Sequence, residues 1–124
     1  MKNIEAIKAR YLHDDLHIRL GGIAANLARI SSASSDPQDW EAVLTMLEET
    51  KFFIEWTAPD ASLNVQAFLV EVQIQLALWQ RIWAKIHTEV QEREKLQNWS
   101  RVMSERVFTV APGAFSSPYG NPGD

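Results

Sequence analysis

Residues 65–90 read VQAFLVEVQIQLALWQRIWAKIHTEV, and the spacing of their apolar side chains decides the fold. Val65, Leu69, Val72, Leu76, Trp79, Trp83, Ile86 and Val90 follow at steps of four and three, which puts them on one stripe of an α-helix. A second line, Phe68, Val70, Ile74, Ala77, Leu78 and Ile82, widens the apolar arc well beyond a coiled-coil seam. A helix so broadly apolar is expected to touch several neighbours and to sit at the centre of the domain. Gln66, Glu71, Gln73, Gln75, Gln80 and Arg81 interrupt it too often for a lipid-facing span, so no membrane partner is expected.

Helical spacing recurs on both sides of this stretch. Asn3 is placed to cap a first helix with Ile4, Ile7 and Tyr11 on one face. Leu12, Leu16, Leu20, Ile23, Leu27 and Ile30 form its second, longer line. Gly21, Ala25 and Ala28 share a face of that helix, and a row of small residues lets another helix approach closely, from the same chain or from a second subunit. Asp36 and Pro37 suit the cap and first position of a second helix, whose stripe is Trp40, Val43, Leu44, Leu47 and Ile54. Phe52 and Trp56 point away from that stripe, either into neighbours around the helix end or outward as a partner-binding patch. Pro59 separates the second helix from the third, with Asp60 or Ser62 as the next cap, and so short a connection predicts an antiparallel hairpin.

After Ile86 the apolar phase slips. Leu96, Trp99, Met103 and Val107 lie on a rotated face, and Thr88 with Gln91 reads as a capping box, so a break near His87 and a fourth helix from Glu89 to about Phe108 are expected. One uninterrupted helix is the competing reading. From Thr109 onward Pro112, Gly113, Pro118, Gly120, Pro122 and Gly123 exclude regular structure, leaving residues 109–124 as a tail that Val110, Phe115 and Tyr119 are placed to pin to the body. The expected fold is therefore an all-α, antiparallel four-helix bundle over residues 1–108, with a long central third helix and an irregular C-terminal tail.

Composition narrows the function classes. The chain has 124 residues, 46% hydrophobic and 23% charged, which is enough to bury a core as one domain. Its formal net charge of -4 argues against nucleic acid as a general partner. No cysteine is present, which excludes disulfides, thiolate metal sites and cysteine nucleophiles and fits a reducing compartment. Residues 1–10 have no continuous apolar run, so no signal peptide is read there and a cytoplasmic location is expected.

Ionisable residues concentrate in one place, Leu12-His13-Asp14-Asp15-Leu16-His17. On the polar side of an amphipathic helix this pattern is ordinarily a solvated face with local ion pairs. A sharper reading is a transition-metal site, since His13 and His17 at a spacing of four point two imidazoles from one helical face. His13, Asp14 and His17 imitate the zinc-protease H-E-x-x-H, but Asp14 is shorter than the Glu that reaches a metal-bound water. A third ligand would come from His87 or from a carboxylate such as Glu48.

Two resemblances add to these readings. Arg10, Leu12, His13, Asp14, Leu20, Ile23 and Leu27 resemble the phosphoacceptor helix of one class of sensor histidine kinases, in which R-x-L-H-D precedes leucines and isoleucines at helical spacing. That resemblance covers the first helix and implies His13 as phosphoacceptor, Asp14 as its orienting acceptor or base, and a dimerisation hairpin. No asparagine-rich nucleotide box or glycine-rich ATP lid accompanies it. Over most of the chain, Asp14-Asp15-Leu16-His17-Ile18-Arg19-Leu20-Gly21-Gly22, Phe52-Phe53-Ile54-Glu55-Trp56-Thr57-Ala58 and Leu76-Ala77-Leu78-Trp79-Gln80 resemble small uncharacterised helical proteins of cyanobacteria. This implies a helical class and a source, and no activity.

No Walker loop, dinucleotide fingerprint or nucleophile elbow is present. The reading that follows is a non-catalytic protein-interaction or scaffold module needing no cofactor, with a protein partner and a homodimer expected. Gly21, Ala25, Ala28, Phe52 and Trp56 are the candidate interaction residues. Histidine phosphotransfer through His13 and metal binding through His13, His17 and His87 are the alternatives.

Overall fold

Two consecutive aspartates divide what the leucine spacing reads as one helix. In the computed structural model, which describes residues 3–110, α1 spans Ile4–His13 and α2 spans Leu16–Ala33, with Asp14 and Asp15 in extended conformation between them. α3 (Trp40–Thr57), α4 (Leu63–Ile86) and α5 (Val90–Val110) follow, so the described residues are all-helical, with five helices rather than four and no strand. Short 3-10 turns at Pro37–Asp39 and Ala58–Asp60 precede α3 and α4.

The local signals explain most of these boundaries. The Asp36 carboxylate accepts from the Gln38 amide at 2.9 Å, with Pro37 entering the turn behind it. Ser62, rather than Asp60, caps α4 by accepting from the Val65 amide. Asn3 caps α1 through its carbonyl, which accepts from Ala6 and Ile7, while its side chain makes no cap. Its φ of 52° lies in the left-handed region, which asparagine tolerates better than most residues. The expected break at His87 is present, and the Arg93 guanidinium closes it by donating to the His87 carbonyl at 2.9 Å.

The expectation that the third helical segment is the central one does not hold. α2 packs along both α3 and α5, α3 also packs against α4, and α4 against α5. Leu20, Ile23, Leu27 and Ile30 of α2 meet Val43, Leu47 and Ile54 of α3, Leu69, Val72, Leu76 and Trp83 of α4, and Leu96 and Val107 of α5 in one core. Small polar residues let α2 and α5 come close: Ser31 donates to the Gln97 carbonyl and Ser104 to the Ala24 carbonyl, both at 2.8 Å. Trp40 at the start of α3 stacks on His87 just past the end of α4, and Lys51, further along α3, donates to Gln80 of α4. Phe115 and Tyr119, read as pins for the tail, lie outside the described residues.

α1 is held differently, having no buried residue of its own. Its Tyr11 ring stacks on Phe53 with centroids 4.4 Å apart, beside Trp56. The Tyr11 hydroxyl donates to the Arg19 carbonyl at 3.0 Å, so the 2.7 Å contact with Thr57 is one in which the Thr57 hydroxyl donates. Burial pushes the Tyr11 phenol up to about 12, Asp14 adding to the rise while Thr57 and the Arg19 charge oppose it. A pKa raised above the unfolded value of about 10 stabilises fully below that pH and is lost as pH climbs toward the folded value. Wild type is therefore expected to lose more stability than Tyr11→Phe between about pH 10 and 12. Urea unfolding of both proteins across that window checks it, and parallel curves would refute it.

Candidate protein interface

The second apolar line of α4, read as part of the core, is the part that stays outside it. Phe68 alone of that line is buried; Val70 is 48% exposed, Ile74 55%, Leu78 49% and Ile82 40%. At four-residue steps these last four form one continuous ridge about 18 Å long, and Leu63, 80% exposed, extends it toward the start of the helix. The physical reason is geometric. Among the described residues α4 has neighbours on the side of Val65, Leu69, Val72, Leu76 and Trp83 only, so a helix apolar around most of its circumference leaves the remainder uncovered by them.

Beside the ridge, α4 and α5 part into an open groove of about 440 Å³. Val72, Ile74, Trp99 and Met103 form its apolar walls, and Glu71, Gln75 and Arg106 stand at its edges. Arg106 is fixed by lying over the Phe68 ring, its guanidinium carbon 5.0 Å from the centroid. Ridge and groove share Ile74, so together they are one apolar surface with a charged rim.

The residues expected to carry function lie elsewhere. His13 ends α1 and His17 is the second residue of α2; both are exposed, and the extended Asp14-Asp15 between them breaks the single helical face that a spacing of four requires. His87 lies at the far end of α4 from the Arg19–Asp60 contact that anchors the start of α2, and its ring stacks on Trp40 at 4.6 Å. Its Nδ1 is buried without a hydrogen-bond partner. The trio His13, His17 and His87 is thus not brought together, and no group of three metal-ligating side chains forms among the described residues. His13 also sits at a helix end, not inside a long hairpin helix as its phosphoacceptor resemblance implies.

The expected interaction residues divide. Trp56 is buried among Tyr11, Phe52 and Phe53, so it is a packing residue and not an exposed anchor. Phe52 is half-buried and lines a smaller hollow of about 160 Å³ with Glu48, Lys51, Glu55 and Gln73. Ala25 and Ala28 are exposed, and a Cβ added at Gly21 would meet nothing within 4 Å, so no helix among the described residues uses that small-residue row. A Cβ added at Gly22 would meet the Tyr11 ring at 3.8 Å, an ordinary van der Waals contact.

Sequence reasoning named the α4 ridge residues but assigned them to the interior. The available signal was their arc: buried and second lines together exceed what one helix face packs, so part of the circumference had to remain uncovered. The chain matches no family model, no curated protein and no solved structure. No helix of the described residues is long and apolar enough to cross a membrane.

Proposed function

We propose that this chain is a non-catalytic protein-interaction module whose docking surface is the outer ridge of α4 with the adjoining α4/α5 groove. In this reading α2–α5 form an antiparallel four-helix bundle with α1 folded over one end, and the bundle serves as a rigid support for the α4 face. The exposed row Val70, Ile74, Leu78 and Ile82 is the observation that carries it. Four large aliphatic side chains left in water on one helix row are costly unless a partner covers them, by roughly 25 cal/mol per Å² of apolar surface. Their side chains lend nothing to catalysis, since an aliphatic group neither moves protons nor binds a metal.

Site-specific photocross-linking tests the proposal. A benzoylphenylalanine placed at Leu78 is expected to yield a protein adduct in cells that make the chain, while the same group at exposed Thr45 on α3 is expected to yield none. Absence of any protein adduct at Leu78 would end this reading.

A further inference from the structure

Trp56 is buried, yet it stands outside the core that α2–α5 share. Its ring neighbours are Phe52 and Phe53 of its own helix and Tyr11 of α1, so α1 supplies part of its cover. From this arrangement we infer that α1 is a releasable strap, and that lifting it uncovers a slot selective for a phenol ring, which Tyr11 fills as the chain's own ligand. The slot matches both parts of that ring. Phe53 lies flat against it, with centroids 4.4 Å apart and planes 8° from parallel, and Trp56 closes on it at 57°. At the hydroxyl end the Arg19 carbonyl accepts at 3.0 Å, and fully buried Thr57 donates its hydroxyl at 2.7 Å. An acceptor and a donor side by side suit a hydroxyl, which is both, whereas a plain ring would leave them unpaired.

The strap is held by little else. α1 has no buried residue, and among the described residues Tyr11 is its one side chain with hydrogen-bond partners or ring neighbours. Ile4 and Ile7, on the same face, are half-buried and stay outside the shared core. Ten residues are too few for a helix to persist alone in water, so α1 keeps its helix only while it is attached. A pivot is also built in. Asp14 is extended, at φ -78° and ψ 150°, and its carbonyl is held by Arg19 Nε at 3.1 Å. The same arginine holds the Trp56 carbonyl and Asp60. Lifting α1 about residues 13–14 therefore breaks none of these ties, and the bundle stays closed at that corner while the slot opens. Segments with few buried apolar contacts are the ones that open locally, ahead of the core.

Native-state hydrogen exchange of the full chain tests the strap. Amides of residues 8–13 are expected to exchange at least about a hundredfold faster than those of Leu27 and Ile30 in the shared core. In Tyr11→Ala the same α1 amides are expected to exchange at the rate of an unfolded chain, while Leu27 and Ile30 stay protected. Wild-type α1 exchanging in step with the core, a variant whose α1 stays protected, or a variant that loses protection throughout would each overturn the strap. Titration followed by NMR tests the slot. p-Cresol is expected to bind the Tyr11→Ala chain with shifts at Phe53, Trp56 and Thr57. Toluene is expected to bind about tenfold more weakly, because it leaves the donor and the acceptor unpaired. Wild type is expected to bind p-cresol at least about tenfold more weakly than the variant, because Tyr11 holds the slot most of the time. Equal affinity for the two probes, equal affinity of the two proteins for p-cresol, or no shift at those residues in the variant would overturn the phenol assignment.

Discussion

Trp83→Ala is expected to lower the unfolding free energy by about 4 kcal/mol, the loss typical of deleting a large aromatic ring from a packed core. Trp83 is 1% exposed, belongs to the core shared by α2–α5, and stands edge-on to Trp79 with centroids 6.2 Å apart. Set against the roughly 5–15 kcal/mol by which domains are ordinarily stable, such a loss leaves little margin. Trp83→Phe separates packing from hydrogen bonding. The indole Nε1 is buried without an acceptor, and an unpaired buried donor itself costs about 1–3 kcal/mol. Phenylalanine removes that donor while keeping most of the ring, so its net cost is expected to stay below about 1 kcal/mol. Chemical unfolding of both variants decides the matter, and a Phe variant as unstable as the Ala variant would show that the indole nitrogen is paired.

Arg19→Ala is expected to cost about 3 kcal/mol through a different mechanism. The Arg19 side chain is buried, with Nε donating to the Asp14 carbonyl at 3.1 Å and Nη1 shared between the Trp56 carbonyl at 3.3 Å and Asp60 Oδ2 at 3.0 Å. One side chain therefore ties the α1–α2 break to the end of α3 and the turn after it. Truncation leaves the buried Trp56 carbonyl without this donor, and hydrogen bonds to a charged group are worth about 1.5–3 kcal/mol each. Asp60 is 56% exposed, so it returns to water when its partner goes. Asp60→Asn, which spares both carbonyl contacts, is consequently expected to cost only about 1 kcal/mol. Arg19→Lys should resemble Ala more than wild type, because an ammonium cannot reproduce a planar fork aimed at separated acceptors. Thermal unfolding of the three variants gives the order, and an Asp60 variant weaker than the Arg19 variants would contradict this account.

The helices were legible because burial imposes periodicity: the stripe ending in Trp83 and Ile86 and the phase slip before Leu96 mark α4 and α5 without any structure. The break at Asp14-Asp15 was not legible. Leu12, Leu16 and Leu20 keep a helical interval straight across it, and what bends the chain is Arg19 and Tyr11 reaching groups on α3, more than 35 residues away in sequence. The candidate interface was half legible. Hydrophobicity identified Val70, Ile74, Leu78 and Ile82, but a sequence records which side chains avoid water and not which neighbours arrive to shield them. The histidine reading failed for a related reason, since a spacing of four has meaning only where the backbone between the two residues is helical.

The α2–α5 contact has a consequence for biosynthesis. Ala24 meets Ser104 and Ser31 meets Gln97, so one long wall of α2 is furnished by α5. While the ribosome is still making the intervening residues, Leu27 and Ile30 have no finished enclosure, and at about 5–20 residues per second that interval lasts several seconds. The nascent chain thus carries an open seam until α5 emerges, and in that interval a chaperone or a neighbouring nascent chain has its best opportunity to bind.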